Sequence, residues 1–224
     1  TLTPNTDPAD DTSSIVTATP EIDKSRDTSI VSGGDGNGNG VATIGETIEY
    51  TVDVTIPDGL TYPFASISDV VDDEKDLDVA SLSATLDGVP LPTNGLSLVP
   101  DDTANSWSID FPDTYAVPEG ADQTIVGTFD AVVLDVASNV RASNTPNTAT
   151  FVYDGTPGAE RDVDDSVGTI IVEPNITIDK TNDDVDGVVS AGQVVNYDVV
   201  VTNDDGPGRV SAAYDTRVVA TVTA

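Results

Sequence analysis

The sequence predicts an all-β chain of Ig-like β-sandwich repeats in tandem. Three observations carry that prediction. Apolar residues recur with period two in runs rich in Val, Ile and Thr; Gly, Pro, Asp and Asn punctuate those runs; and one ordered set of motifs occurs twice. In chain order the runs are TIEYTVDVTI (47–56), QTIVGTFDAVVLDV (123–136), NTATFVY (147–153) and VVNYDVVVT (194–202). Each sets an apolar face against a polar one, as a half-buried strand does. No segment keeps a helical period, and DDEKDLDVASL (72–82) is expected to form at most one helical turn.

The duplicated motifs set the domain boundaries. DDTSSIVTATPEIDKS (10–25) matches DDSVGTIIVEPNITIDKT (164–181), and GETIEYTVDVT (45–55) matches GQVVNYDVVVT (192–202), in the same order. The period is roughly 150 residues, a plausible domain size. Residues 21–173 are therefore expected to form one complete sandwich, and 174–224 the opening strands of a second, incomplete one. Residues 1–20 read as the closing strand of a preceding repeat, or as a linker or donor strand for a neighbour. Such a chain is a window cut from an array, or a subunit that shares strands. Pro20 and Pro174 stand at the junctions and favour a stiff rod.

Composition limits the chemistry. The 224 residues carry 40 acidic and 8 basic side chains, a formal net charge of −32. Nucleic acid is excluded as a partner, because phosphate binding needs clustered Lys and Arg. Self-repulsion of this size opposes a compact state unless salt or bound cations screen it. Cys, His and Met are all absent, which removes disulfides, thiol nucleophiles, imidazole bases and soft metal sites. A resident metal must then be a hard cation held by oxygen, Ca²⁺ or Mg²⁺. No apolar run is long enough to span a membrane, and Thr1 opens no signal peptide, so membrane insertion is not expected.

Lys24 stands out. In EIDK it shares a strand face with Ile22, and NITIDK places Lys180 on the face of Ile176 and Ile178, so two of the chain's three lysines occupy one repeat position. Burial of an amine lowers its pKa toward the neutral, nucleophilic form. Asp69 shares a face with Ile67 and Val71, and Asn147 one with Ala149, Phe151 and Tyr153. A neutral amine, an Asn amide and an acid kept protonated by burial can form an isopeptide bond with loss of ammonia. In the competing reading Lys24 snorkels to solvent, Asn147 caps a strand and Asp69 is one of forty solubilising acids.

The residues IDK (22–24), GETIEYTVDVTIPDGL (45–60), ISD (67–69) and NTATFVYDGTPG (147–158) carry a resemblance to known proteins. IDKTNDD (178–184), GQVVNYDVVVTN (192–203) and AYD (213–215) extend it. The chain resembles the tandem repeat domains of large bacterial and archaeal surface proteins. It is also similar to the isopeptide-forming Ig-like domains of Gram-positive pilins and collagen adhesins. In that family a Lys on the first strand joins an Asn on the last, with an Asp between them as catalyst. The resemblance implies Lys24 and Asn147 as the crosslink and Asp69 as its autocatalytic acid, while Lys180 stays free for want of an Asn. The family's D-T-L-P after the acid reads DVVD here.

The loop GGDGNGNGVATIGE (33–46) offers a second site. Asp35, Asn37, Asn39, Gly40 and Glu46 match D-x-[DN]-x-[DN]-G-x5-E, the spacing of a calcium loop, with Glu46 as closing ligand. Helices flank that loop in an EF-hand, whereas Glu46 opens a strand, and the repeat places Gln193 at its position. A tight turn is the rival reading. A second acidic cluster, DVVDDEKDLD (69–78), is expected to be a solvated edge, and Trp107 to pack between the sheets.

Together these features predict a structural, extracellular, non-enzymatic repeat unit of a cell-surface stalk or filament. It would be stapled by the isopeptide, with Ca²⁺ as the only cofactor considered, and would self-associate with neighbouring subunits or repeats by strand sharing. The alternative is an adhesin module that binds glycan or protein through its loops. Exposed aromatics in LTYPF (60–64) or around Trp107 would favour it, and 5% aromatic content argues against it.

Overall fold

The computed structural model describes residues 18–27, 40–153, 161–184, 187–203, 213 and 216–221. Among these residues there is no helix, hence none long and apolar enough to cross a membrane. Thirteen strands run β1 (Glu21–Asp27), β2 (Val41–Thr43), β3 (Thr47–Ile56), β4 (Ser66–Val70), β5 (Lys75–Leu86), β6 (Val89–Pro90) and β7 (Ser97–Asp101). They continue with β8 (Ser106–Asp110), β9 (Gln123–Val133), β10 (Asn144–Tyr153), β11 (Arg161–Val172), β12 (Ile176–Asn182) and β13 (Tyr197–Asn203).

The first eleven strands make two sheets, in orders β1-β3-β9-β5-β6 and β2-β11-β10-β4-β8-β7. Pairing is antiparallel except where β2 meets β11. Strand alternation separates the two faces: Ile48, Tyr50, Val52, Val54 and Ile56 of β3 are buried, while the residues between them face out. Trp107 of one sheet meets Phe129 of the other edge-on, with centroids 5.6 Å apart. Gly127 leaves the room for this contact, since a Cβ there would lie 2.9 Å from the indole Cη2. The structure is thus a β-sandwich with its aromatic core between the sheets.

Segment 72–82 corrects the sequence reading. It holds no helical turn: Lys75 N–H donates to Asp72 O at 2.9 Å, and β5 starts at once. The side chain of Asn105 fixes this corner, donating to Val71 O and Lys75 O and accepting from Leu77 N–H, each at 2.8 Å. Nor is 69–78 a solvated edge throughout, for Asp69 and Lys75 are both buried. Alternation of Lys75, Leu77 and Val79 on one face, paired against β9, overrides the local charge.

β12 and β13 form a separate two-stranded sheet. Its register repeats that of β1 and β3: Ile178 faces Val201 and Lys180 faces Val199, as Ile22 faces Val54 and Lys24 faces Val52.

The acidic excess is visible on the outer face of the five-stranded sheet. Asp27 pairs with Glu49, Glu49 with Asp130 and Asp130 with Asp78, a row of four acids across four strands. Like charges directly opposite are destabilising. Partial burial and then the neighbouring Asp78 raise the Asp130 pKa, and burial and Asp23 do the same for Asp53. Raising salt from about 0.1 to 1 M shortens the Debye length from about 10 to 3 Å and is expected to raise the thermal midpoint. Asp130→Asn should raise the low-salt midpoint and flatten that salt dependence. A midpoint indifferent to salt, or a variant as salt-sensitive as the parent, contradicts this account.

Candidate functional site

β1 is an edge strand, bonded on one side to β3 and packed on the other against β11 and β10. Asp23 and Ser25 face solvent, so the strand's period turns Lys24 inward, where it is 4% exposed. Its backbone N–H donates to Asp165 Oδ2 at 2.7 Å, tying β1 to β11. Its Nζ lies 5.1 Å from the ring centroids of both Tyr50 and Phe129 and forms a hydrogen-bonded ion pair with Asp69 Oδ2.

Asp69 comes from the opposite sheet. It lies between Trp107 of β8 and Ala149 of β10, and is 1% exposed. Asn147, two residues before Ala149 on the same inward face, is equally buried. Its amide is close enough to Asp69 to favour the ionised carboxyl, yet Oδ1 and Nδ2 make no hydrogen bond of ordinary geometry. The structure therefore gathers Lys24, Asp69 and Asn147 into one buried interior, the lysine from one sheet and the other two from its partner. Asn147 stands on β10, the strand before the last of the sandwich.

Burial dominates the electrostatics. It lowers the Lys24 pKa, against the opposing pull of Asp69 and the more distant Asp165. It raises the Asp69 pKa, against Lys24 and Asn147. Both shifts favour the neutral forms, an unprotonated amine and a protonated acid, over the ion pair. Tyr50, its hydroxyl buried, is pushed up to about 12 and stays protonated.

No protein-family model matches the chain, and no curated protein matches it in sequence. Among solved structures, BcpA, the major pilin subunit of Bacillus cereus, is similar at a TM-score of 0.51, with 14% identity over 82% of this chain. The fold resembles that of a pilin. The RrgB pilus protein of Streptococcus pneumoniae is 22% identical over 61% of this chain at a TM-score of 0.47. The collagen-binding domain of a Staphylococcus aureus adhesin is 11% identical over 54% at 0.39. The chain spans 55% of BcpA and 23% of full-length RrgB. At these identities the likeness is one of fold, and what the pilin-type sandwich does in this chain must be argued from its own residues.

The remaining predicted residues are placed as follows. Asp35, Asn37 and Asn39 lie outside the described residues, as do residues 1–17 of the expected closing strand. Glu46 is buried, and its Oε2 accepts from Thr43 N–H at 2.8 Å and from the Thr43 hydroxyl at 3.2 Å. Among the described residues no three acidic side chains gather around a common metal position. Lys180 is exposed, with its Nζ 4.5 Å from the Tyr197 ring centroid. Trp107 and Tyr62 are buried, and Phe64 is the exposed aromatic of segment 60–64.

Sequence reasoning missed Lys75, Asp165 and Tyr50 as parts of this interior. The signal for Lys75 was the one used for Lys24, a lysine alternating with apolar residues. It was hidden by the acids of the preceding turn.

Proposed function

We propose that the chain is a structural, extracellular module of a cell-surface stalk or filament, closed by an amide between Lys24 and Asn147 through the sandwich core. The observation that carries this reading is the buried Lys24–Asp69 contact with the unengaged amide of Asn147 beside it.

The neutral Lys24 Nζ attacks Asn147 Cγ. The Cγ–Nδ2 bond breaks as the Nζ–Cγ bond forms. Protonated Asp69 first hydrogen-bonds the amide carbonyl, then relays the amine's proton to the departing ammonia. Lys24 and Asn147 are consumed in the product, so the chemistry is a single self-reaction and not turnover. The loop closed holds about 120 residues, and on the loop-entropy scale used for disulfides that constraint stabilises by about 5 kcal/mol. For a cysteine-free chain under strong self-repulsion, this is a large share of a typical domain stability.

Self-association with neighbouring repeats or subunits, strand sharing included, belongs to the same proposal. It draws support from the hairpin β12–β13, which repeats the β1–β3 register and the lysine–tyrosine contact. The alternative, an adhesive module for glycan or protein, rests on Phe64, half exposed in its loop. It lacks the exposed Trp107 and Tyr62 that would strengthen it.

Intact mass under denaturing conditions tests the crosslink. The chain is expected to weigh one ammonia less than its sequence, and Lys24→Ala, Asn147→Ala and Asp69→Ala to keep the full mass. A full mass in the unmutated chain, or a loss that survives Lys24→Ala, sinks the proposal. Calcium at Asp35, Asn37, Asn39 and Glu46 is a separate proposal, in which Glu46 would have to release Thr43 to ligate through both oxygens. Chelation should then lower the thermal midpoint of the calcium-loaded chain, and no change on chelation rules the site out.

A further inference from the structure

Lys24 is gripped at two points. Its Nζ meets Asp69 Oδ2, and its backbone N–H donates to Asp165 Oδ2 at 2.7 Å. The two acids belong to one row of the opposite sheet: Ala149 of β10 pairs with Asp69 of β4 on one side and with Asp165 of β11 on the other. Neighbouring strands lie about 5 Å apart, so this row sets the two acids about 10 Å from each other. The side chain between them is the methyl group of Ala149, wholly buried. Asn147 precedes Ala149 by two residues on the same inward face.

Asp165 is an exception on its own strand. Val163, Val167, Thr169 and Ile171 share its inward phase, and an acid there is costlier to cover than a valine. What it gains is a contact with the backbone of an edge strand. β1 has β3 as its only strand neighbour, so an N–H on its other side has no ladder partner. Asp165 supplies that partner at the residue whose side chain carries the amine. Its charge favours the Lys24 ammonium, the form that cannot attack a carbonyl. Its contribution to the reaction is therefore placement and not activation.

We infer that Asp165 is a positioning residue for the crosslink, clamping the Lys24 backbone where its Nζ can reach Asn147 Cγ. This inference rests on the crosslink reading above. Asp165 fixes one end of the lysine and Asp69 the other, both against the row that lies two residues from the amide. No bond is made or broken at Asp165.

The test follows ammonia loss in time. The full chain is made by cell-free synthesis, and aliquots are split. One half is quenched in denaturant and weighed; the other meets a brief protease pulse that counts the folded chains. Asp165→Val removes the acceptor and matches Val163 and Val167 on either side. It is expected to fold as fully as the parent and to lose ammonia about ten- to a hundredfold more slowly per folded chain. Asp165→Asn keeps an oxygen that accepts from the Lys24 N–H and drops the charge, and should react at least as fast as the parent. If Asp165→Val does not fold, Asp165→Ala is read in its place by the same criterion. Parental speed in Asp165→Val, or an Asp165→Asn as slow as Asp165→Val, overturns the clamp and leaves the crosslink standing. So does a loss of crosslinking that only follows a loss of folded chains, since Asp165 would then be a stabilising residue alone. A full mass in the unmutated chain overturns both.

Discussion

An amine and a carboxyl facing each other across a buried core constrain everything else in this molecule. Lys24 can meet Asp69 only if β1 packs against the other sheet with its inward residues in phase with those of β4 and β10. A shift of one residue in any of the three strands would turn a charge out to solvent and an outward residue into the core. The anchoring contacts serve that phase. Asp165 holds the Lys24 backbone from β11, and Tyr50 and Phe129 flank its Nζ. Trp107 lies beside Asp69 in the ladder and against Phe129 across the core. A buried ion pair is poor value as a source of stability, because desolvation offsets most of its attraction. Its retention here fits the proposed crosslink, since the same desolvation shifts amine and acid toward the protonation states that amide transfer needs.

The exterior would make the proposed covalent closure useful. Rows of acids pair with one another across the outer face of the five-stranded sheet, and three lysines and five arginines are spread over the whole chain. Apolar burial must hold the sandwich against this repulsion with neither a disulfide nor a thiol-bound metal to assist. The proposed bond between the two sheets would act on the unfolded ensemble, and so would help without further packing and whatever the ionic strength. The corner at Val71–Lys75 is where interior and exterior meet: Asp73 faces water, Asp72 and Glu74 are half-buried, and Lys75 is sealed inside.

Much of this was legible in the sequence because a strand's period is two and its faces follow from spacing alone. β3 occupies the residues that the TIEYTVDVTI run marks, and the inward phases of Lys24, Asp69 and Asn147 follow from their apolar neighbours. The errors lie where contacts distant in sequence decide. β9 stops at Val133 rather than at residue 136, since Leu134 N–H turns aside to Glu74 O. β10 begins at Asn144, drawn out by its pairing with β11. The charged stretch DDEK gave no strand signal, because the residue that fixes it is Asn105, some thirty positions away. Nor could spacing tell which inward residues meet across the core: β1 belongs to one sheet, and β4 and β10 to the other.

The central claim is that the two sheets are joined by a bond that force cannot open, and the most direct measurement pulls on it. The chain, held by its two ends, is extended in a single-molecule force experiment and its final contour length compared with that of Asn147→Ala. The account predicts that the segment between Lys24 and Asn147 never extends. The unmutated chain should then fall short of the variant by about 120 residues, on the order of 400 Å at full extension. Equal contour lengths would mean that the core is held by noncovalent contacts alone, and would contradict the account.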